Sequence, residues 1–322
     1  MTDTIVAVLV EHRGNEIAQP TLEALTLART MGSPVAVWMG EEPPADAVTA
    51  LGVFGAKEVR VLAIGERARH AATAAALLTA ATADAAVVLM VSTFATKEIA
   101  TRLALATGAG VVVDAAGAEL VDGRVETTQT VFAATWNVRT RVNADRAIVT
   151  LRPNTTQAAP AETAGAAEVV GVLAALPDLR ETIVSVTPVT REEGVPLSEA
   201  AVVVAGGRGT SGDYTLVREL ADVLGGAVGA SRDATDEGWI SHEHMIGQTG
   251  VTVTPALYVA CGISGAVHHR GGMQASGTIV AVNMDPDAPI FEIADFGVVG
   301  DLNDVLPQAI EALKAHRGAS PA

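Results

Sequence analysis

Short hydrophobic runs recur along the first half of the chain, separated by longer stretches with helical spacing. "TIVAVLV" and "SPVAVWM" flank "PTLEALTLARTMG", in which Pro20 suits the first turn of a helix and Gly32 its end. "KEVRVLAI" and "ADAAVVLMVS" flank an Ala-rich segment from His70 to Ala83, and "TKEIATRLALATGAG" leads into "VVVD". Buried β-branched runs alternating with helix-length segments predict right-handed crossovers and a parallel sheet.

From about Val121 the pattern changes. "GRVETTQTVFAATWNVRTRV" and "RAIVTLRPN" alternate Thr and Val with polar residues, which predicts antiparallel edge strands. "NTTQAAPAETAGAAE" predicts a loop. A stretch with two prolines and a charge cluster, "ETIVSVTPVTREEGVPLSEA", then precedes a new buried strand, "AVVVAGG". The boundary is placed here, giving an N-terminal α/β domain over 1–189 and a second domain over 190–322. The second opens with a strand, a Gly-rich turn "GGRGTSG", and a helix in which Leu216, Leu220 and Leu224 recur at helical spacing. The expected fold class is α/β with two domains, each a mainly parallel sheet flanked by helices.

Composition narrows the function classes. The chain has 322 residues and a formal net charge of −16, which argues against nucleic acid as a partner. The single cysteine, Cys261, excludes an internal disulfide, suits a reducing compartment such as the cytoplasm, and reads as a buried core residue. "MTDTIVAVLVE" lacks the basic start of a secretory signal. The 23 residues from Met245 to Val267 carry no charged side chain and are followed by "HHRGGM". Gln248, Pro255 and four glycines make this run unfit to span a membrane. It is read as the lining of a site.

Several groups are candidates for chemistry. Gly207, Gly209 and Gly212 satisfy G-x-G-x-x-G, a pattern equally compatible with a phosphate cradle and with a tight turn that holds nothing. Arg208 inside the turn favours the phosphate. Ser231 and Arg232 follow "AVGA" and would lie at the C-terminal edge of the sheet, though a solvated arginine at a helix start explains them as well. His242 and His244 lack the spacing of a zinc site and are assigned to a surface loop. Ser264 in "GISGAV" is no nucleophile elbow and is expected to cap a helix. A dinucleotide-dependent dehydrogenase would need an acidic residue about 20 positions beyond the glycines, and Asp222 comes too early. The neutral lining, with Arg232 and the histidines supplying positive potential at selected atoms, suits a flavin.

"GQTGVTVTPALYVACGISGAVHHRGGMQASGTIVAVNMDPDAPIFEIADFGVVGDLNDVLP", with "VVVAGGRG" and "AVGASR" before it, closely resembles the C-terminal domain of the electron transfer flavoprotein α subunit. "STFATKEIATRLALATGAGVVVD" and "TLRPN" extend a looser likeness into the first domain. The resemblance implies a Rossmann-like FAD-binding second domain and an electron carrier rather than an enzyme. It implies a heterodimer whose β subunit resembles the first domain and holds AMP. It implies electrons taken from flavin dehydrogenases, such as the acyl-CoA dehydrogenases of fatty acid β-oxidation, and passed to a membrane quinone oxidoreductase. Carried over by motif, Arg208 lies near FAD, and Ser231 and Arg232 approach the ring and its attachments. Ile246, Gly247, Gln248 and Thr249 pass the ring, with the Thr249 hydroxyl near N5. Ser264, Gly265, Ala266, Val267, His268 and His269 hold the ribityl and pyrophosphate region, with His269 near the C2 carbonyl oxygen. Asn283, another cofactor-binding candidate, ends the strand "IVAVN", and Asp301 with Leu302 closes over the adenosine end. Two positions depart from the family pattern, which usually has glutamine at His268 and often at Met245.

Overall fold

A computed structural model describes residues 4–63, 70–132, 134–162, 165–175, 183–185, 187 and 194–319. The chain divides into two compact units, Met1–Gln129 with Asn137–Thr190 and Thr130–Trp136 with Arg191–Ala322. The expected boundary near residue 190 lies outside the described residues.

The first unit begins with β1 (Ile5–Leu9), the small hairpin β2 (His12–Arg13) and β3 (Glu16–Ile17), α1 (Gln19–Met31) and β4 (Ser33–Gly40). It continues through α2 (Ala45–Val53), β5 (Glu58–Ala63), α3 (Ala71–Ala81), β6 (Val87–Val91) and α4 (Phe94–Thr107). β7 (Gly110–Ala115), β8 (Gly117–Val121), β9 (Arg124–Val131), β10 (Trp136–Arg141), β11 (Ala147–Leu151) and β12 (Glu168–Gly171) follow. The main sheet has the order β12-β5-β4-β1-β6-β11-β7. Its faces explain why the strands are apolar throughout rather than alternating. Val6 and Val8 of β1 pack under α1 and α2, while Ala7 and Leu9 face α3 and α4.

"RAIVTLRPN" departs from its expected edge position. Its strand β11 is parallel, lies between β6 and β7, and is buried along its whole length, with Ile148 opposite Val88 and Val149 opposite Val112. Thr150 tolerates burial because its hydroxyl is 3.0 Å from Ser92 Oγ and accepts from the Asp114 N–H at 3.0 Å. The polar residues that suggest an edge, Arg146 and Arg152, flank the strand. The Thr- and Val-rich run before it does form the expected antiparallel ladder, β8 against β9.

The second unit contains β13 (Val202–Gly206), α5 (Thr215–Leu224), β14 (Ala227–Ala230), α6 (Arg232–Asp236), β15 (Leu257–Cys261) and α7 (Val267–Met273). β16 (Thr278–Asn283), β17 (Phe296–Val299) and α8 (Leu302–Ala319) complete it. Its five strands are all parallel in the order β14-β13-β15-β16-β17. From β13 the chain moves to one side for β14 and returns to the other for β15. The strand order therefore reverses beside β13, and such a reversal opens a crevice at the carboxyl ends of the strands, where ligands of open α/β sheets bind.

Candidate functional site

All sixteen candidate residues fall at that carboxyl edge. Arg208 follows β13; Ser231 and Arg232 follow β14; the segment from Ser264 to His269 follows β15. Asn283 ends β16, and Asp301 with Leu302 follows β17. The loop from Ile246 to Thr249 reaches the same edge because Ile246 N–H donates to the Ala230 carbonyl at 2.9 Å and Gln248 N–H to the His268 carbonyl at 3.0 Å. Sequence neighbours alone would not have joined β14, this loop and α7.

The glycines of "GGRGTSG" answer the question their spacing raises. A Cβ on Gly207 would lie 2.5 Å from the Gly262 carbonyl oxygen, and one on Gly209 2.6 Å from Gly262 Cα. Gly207 N–H donates to the Cys261 carbonyl at 2.9 Å and Gly209 N–H to that of Gly262 at 3.0 Å. The glycines let two strand-end turns pack backbone to backbone at the reversal point. Arg208 lies exposed beside them, paired with Asp233 at 3.1 Å, and Arg232 pairs with Asp236 at 3.2 Å along its own helix.

The turn after β15 supplies donors. The N–H groups of Ala266, Val267 and His268 meet no acceptor among the described residues, and the side chains of Ser264, Gln248, Thr249 and His268 are exposed. Ser264 is not the expected cap. The N-cap is Ala266, and the Ser264 carbonyl instead accepts from Ile290 N–H at 2.9 Å. Two residues separate Ser264 from the first helical turn, too far for a side-chain cap. Ser231 does cap α6, accepting from Ala234 N–H at 3.4 Å. His268 donates from Nδ1 to Gln248 Oε1 at 3.0 Å, so this residue touches the loop from Ile246 to Thr249.

His269 overturns an expectation. The sequence reading makes it a source of positive potential, yet burial pushes its pKa down to about 4, and it is neutral at physiological pH. Both ring nitrogens are engaged within the protein, Nδ1 with the Ile246 carbonyl at 3.1 Å and Nε2 with Tyr258 Oη at 2.8 Å. In this arrangement neither ring nitrogen offers a free N–H to the C2 carbonyl oxygen of a flavin. Tyr258 has no signal in the sequence, since it stands eleven residues before its partner on a buried strand. Cys261 is buried as expected, its thiol pushed up to about 12 by desolvation. His244 is held by its Nδ1 to the Val228 carbonyl at 2.8 Å, and no group among the described residues has the makings of a metal site.

A cavity lies elsewhere, in the first unit. It measures about 620 Å³ and sits at the carboxyl ends of β1 and β4 beside the start of α4. Among the described residues Glu11, Glu41 and Glu42 line it, a negative lining that disfavours an anion. The second-unit edge is marked by its donor groups.

Residues 6–177 match the electron transfer flavoprotein domain, and residues 196–274 match the electron transfer flavoprotein FAD-binding domain. The chain belongs to the electron transfer flavoprotein α-subunit family. The electron transfer flavoprotein subunit alpha of Mycobacterium leprae is 42% identical over 318 residues, 97% of this chain and 98% of that protein. The subunit alpha of Bacillus subtilis is 36% identical over 317 residues, 96% of this chain and 97% of the relative. That of Thermoanaerobacterium thermosaccharolyticum is 55% identical over 139 residues, 42% of each chain. Proteins of the electron transfer flavoprotein family are electron carriers rather than enzymes with a substrate of their own. An α subunit implies a β partner. Asp222, too early in the sequence for a ribose ligand, lies within α5. No helix among the described residues is long and apolar enough to cross a membrane.

Proposed function

We propose that the carboxyl edge of the second unit holds FAD and that the chain, paired with a β subunit that carries AMP, moves electrons from flavin dehydrogenases to a membrane quinone oxidoreductase. Acyl-CoA dehydrogenases of fatty acid β-oxidation are the donors, and the cytoplasm is the compartment. The observation that carries the reading is the convergence of unpaired donors on one edge: the N–H groups of Ala266, Val267 and His268 beside the exposed Ser264, Gln248 and Thr249. That donor set fits a ligand with a pyrophosphate and a polar heteroaromatic ring.

When bound, FAD supplies the ring that accepts and releases electrons. The protein's own residues do the rest. The N–H groups from Ala266 to His268 and the Arg208 guanidinium hold the pyrophosphate. Gln248 and Thr249 would hydrogen-bond the ring edge, the Thr249 hydroxyl serving N5, and Ser231 would orient the turn that carries Arg232. Arg232 supplies the positive charge at the ring that His269 cannot. Asn283, whose side chain also braces the Ile263 carbonyl at 2.9 Å, sits with Asp301 and Leu302 at the adenosine end.

Protein purified with its partner is expected to show flavin absorbance with one FAD per α chain, and a protein that neither carries nor takes up flavin overturns the reading. Within it, Arg232→Ala should lower the flavin potential. A charge-assisted hydrogen bond contributes about 1.5–3 kcal/mol. Arg232 is exposed and paired with Asp236, which screens it, so the low end applies, about 60 mV for one electron. Thr249→Ala should move the potential less. Potentiometric titration of the two variants checks the order.

A further inference from the structure

His269 is 6% exposed, wedged between β15 and the loop from Met245 to Thr249. A carbonyl oxygen can only accept, so the contact from Nδ1 to the Ile246 carbonyl requires the ring proton on Nδ1. Nε2 of the neutral ring is then a bare lone pair, and the hydroxyl of Tyr258 must donate to it across 2.8 Å. Three groups thus form one directed chain: Tyr258 O–H to Nε2, and Nδ1–H to the Ile246 carbonyl.

The far end of that chain matters because the Ile246 peptide is gripped from both sides. Its N–H binds the carbonyl of Ala230 at the end of β14, and its carbonyl binds His269 of α7. Gly247 runs close over α7, where a Cβ on Gly272 would come within 2.4 Å of Gly247 N. The position and direction of the next two residues, Gln248 and Thr249, follow from this clamp.

A fully buried tyrosine hydroxyl is costly without a partner, and a phenylalanine would fill the same space. The hydroxyl therefore has a task that packing does not explain. We propose that Tyr258 is a positioning residue of the flavin site: its hydroxyl, donating to Nε2, anchors the His269 ring whose Nδ1–H grips the Ile246 carbonyl, and so sets the loop that presents Gln248 and Thr249. The proposal rests on the reading that this edge holds FAD.

The test is nitrogen NMR of the full chain labelled with 15N-histidine, with and without FAD, the His269 signals being assigned by their loss in His269→Gln. The wild type is expected to give a protonated-type signal at Nδ1 and an unprotonated-type signal at Nε2 near pH 7. Tyr258→Phe should keep the Nδ1 proton but shift the Nε2 signal, which loses its donor, weaken FAD binding about tenfold and shift the flavin potential. Should that variant fail to fold, replacing the chain's two tyrosines by 3-fluorotyrosine keeps the shape and strengthens the phenol as a donor, which should move the Nε2 signal of His269. A wild-type ring protonated at Nε2, an Nε2 signal indifferent to fluorination, or a Tyr258→Phe protein with unchanged Nε2 signal, affinity and potential overturns the proposal. A chain that shows the ring pattern, shifts its Nε2 signal in Tyr258→Phe, and never binds FAD upholds the Tyr258–His269 anchor and sinks the FAD reading instead.

Discussion

Acidification from pH 7 to pH 4 is expected to remove about 3 kcal/mol of stability through His269 alone. The ring's ordinary value of 6.5 falls to about 4 in the folded chain because the charged form is desolvated. Above pH 6.5 the ring is neutral whether the chain is folded or unfolded, and the group adds no pH dependence. Below 6.5 the unfolded chain takes up a proton that the buried ring refuses, so stability falls as pH falls and levels off near 4. Each unit of difference is worth about 1.36 kcal/mol, which gives the stated magnitude. Carboxylates titrate in the same window, so the measurement is a difference. Urea unfolding of wild type and His269→Gln, compared at pH 7 and pH 4, should show the wild type losing about 3 kcal/mol more. A gap between the two proteins that stays constant with pH would mean that the ring is not held neutral.

Gly262→Ala is expected to destabilise the second unit by about 2–5 kcal/mol. Gly262 has φ of 63°, a left-handed conformation that costs a residue with a Cβ about 1–2 kcal/mol. The added Cβ would also stand 2.6 Å from Gly209 Cα, with backbone rather than a flexible side chain in its way, and such overpacking adds about 1–3 kcal/mol. Gly225 is the control. Its φ of 67° is similar, but nothing lies within 4 Å of where its Cβ would stand, so Gly225→Ala should cost only the backbone part. Chemical denaturation of the two variants decides between close approach and turn geometry; equal losses would show that the contact with Gly209 carries no energy. Because Gly262 joins the two turns at the crevice, FAD retention should fall with stability in the first variant and hold in the second.

Much of this fold is legible in the sequence because buried parallel strands need apolar residues on both faces, and runs such as "IVAVL" and "VVLMV" have them. β11 is misread for a physical reason. Hydrophobic pattern reports burial but not strand direction, and Thr150 looks polar until Ser92 and Asp114 are seen to satisfy it. The site is legible where a motif is contiguous, as in "GQTG" and "GISGAVHH". The charge of His269 is not, because it depends on the surroundings that β15 and the Ile246 carbonyl create rather than on the neighbouring residues in the chain. Ser264 is misassigned as a cap by two residues, the scale on which helix boundaries are hardest to read.

The burial of Cys261 has a practical consequence. The residue lies on the central strand of the second unit, opposite Gly206 on one side and Val282 on the other, with no exposed surface. A thiol held so far from its thiolate form is unreactive while the strand stays paired. Alkylation can therefore proceed only when that strand comes apart from its neighbours. Since the chain has no other thiol, its rate of labelling by iodoacetamide is a clock for opening at the heart of this unit. A ligand that bridges the strand ends should slow that clock.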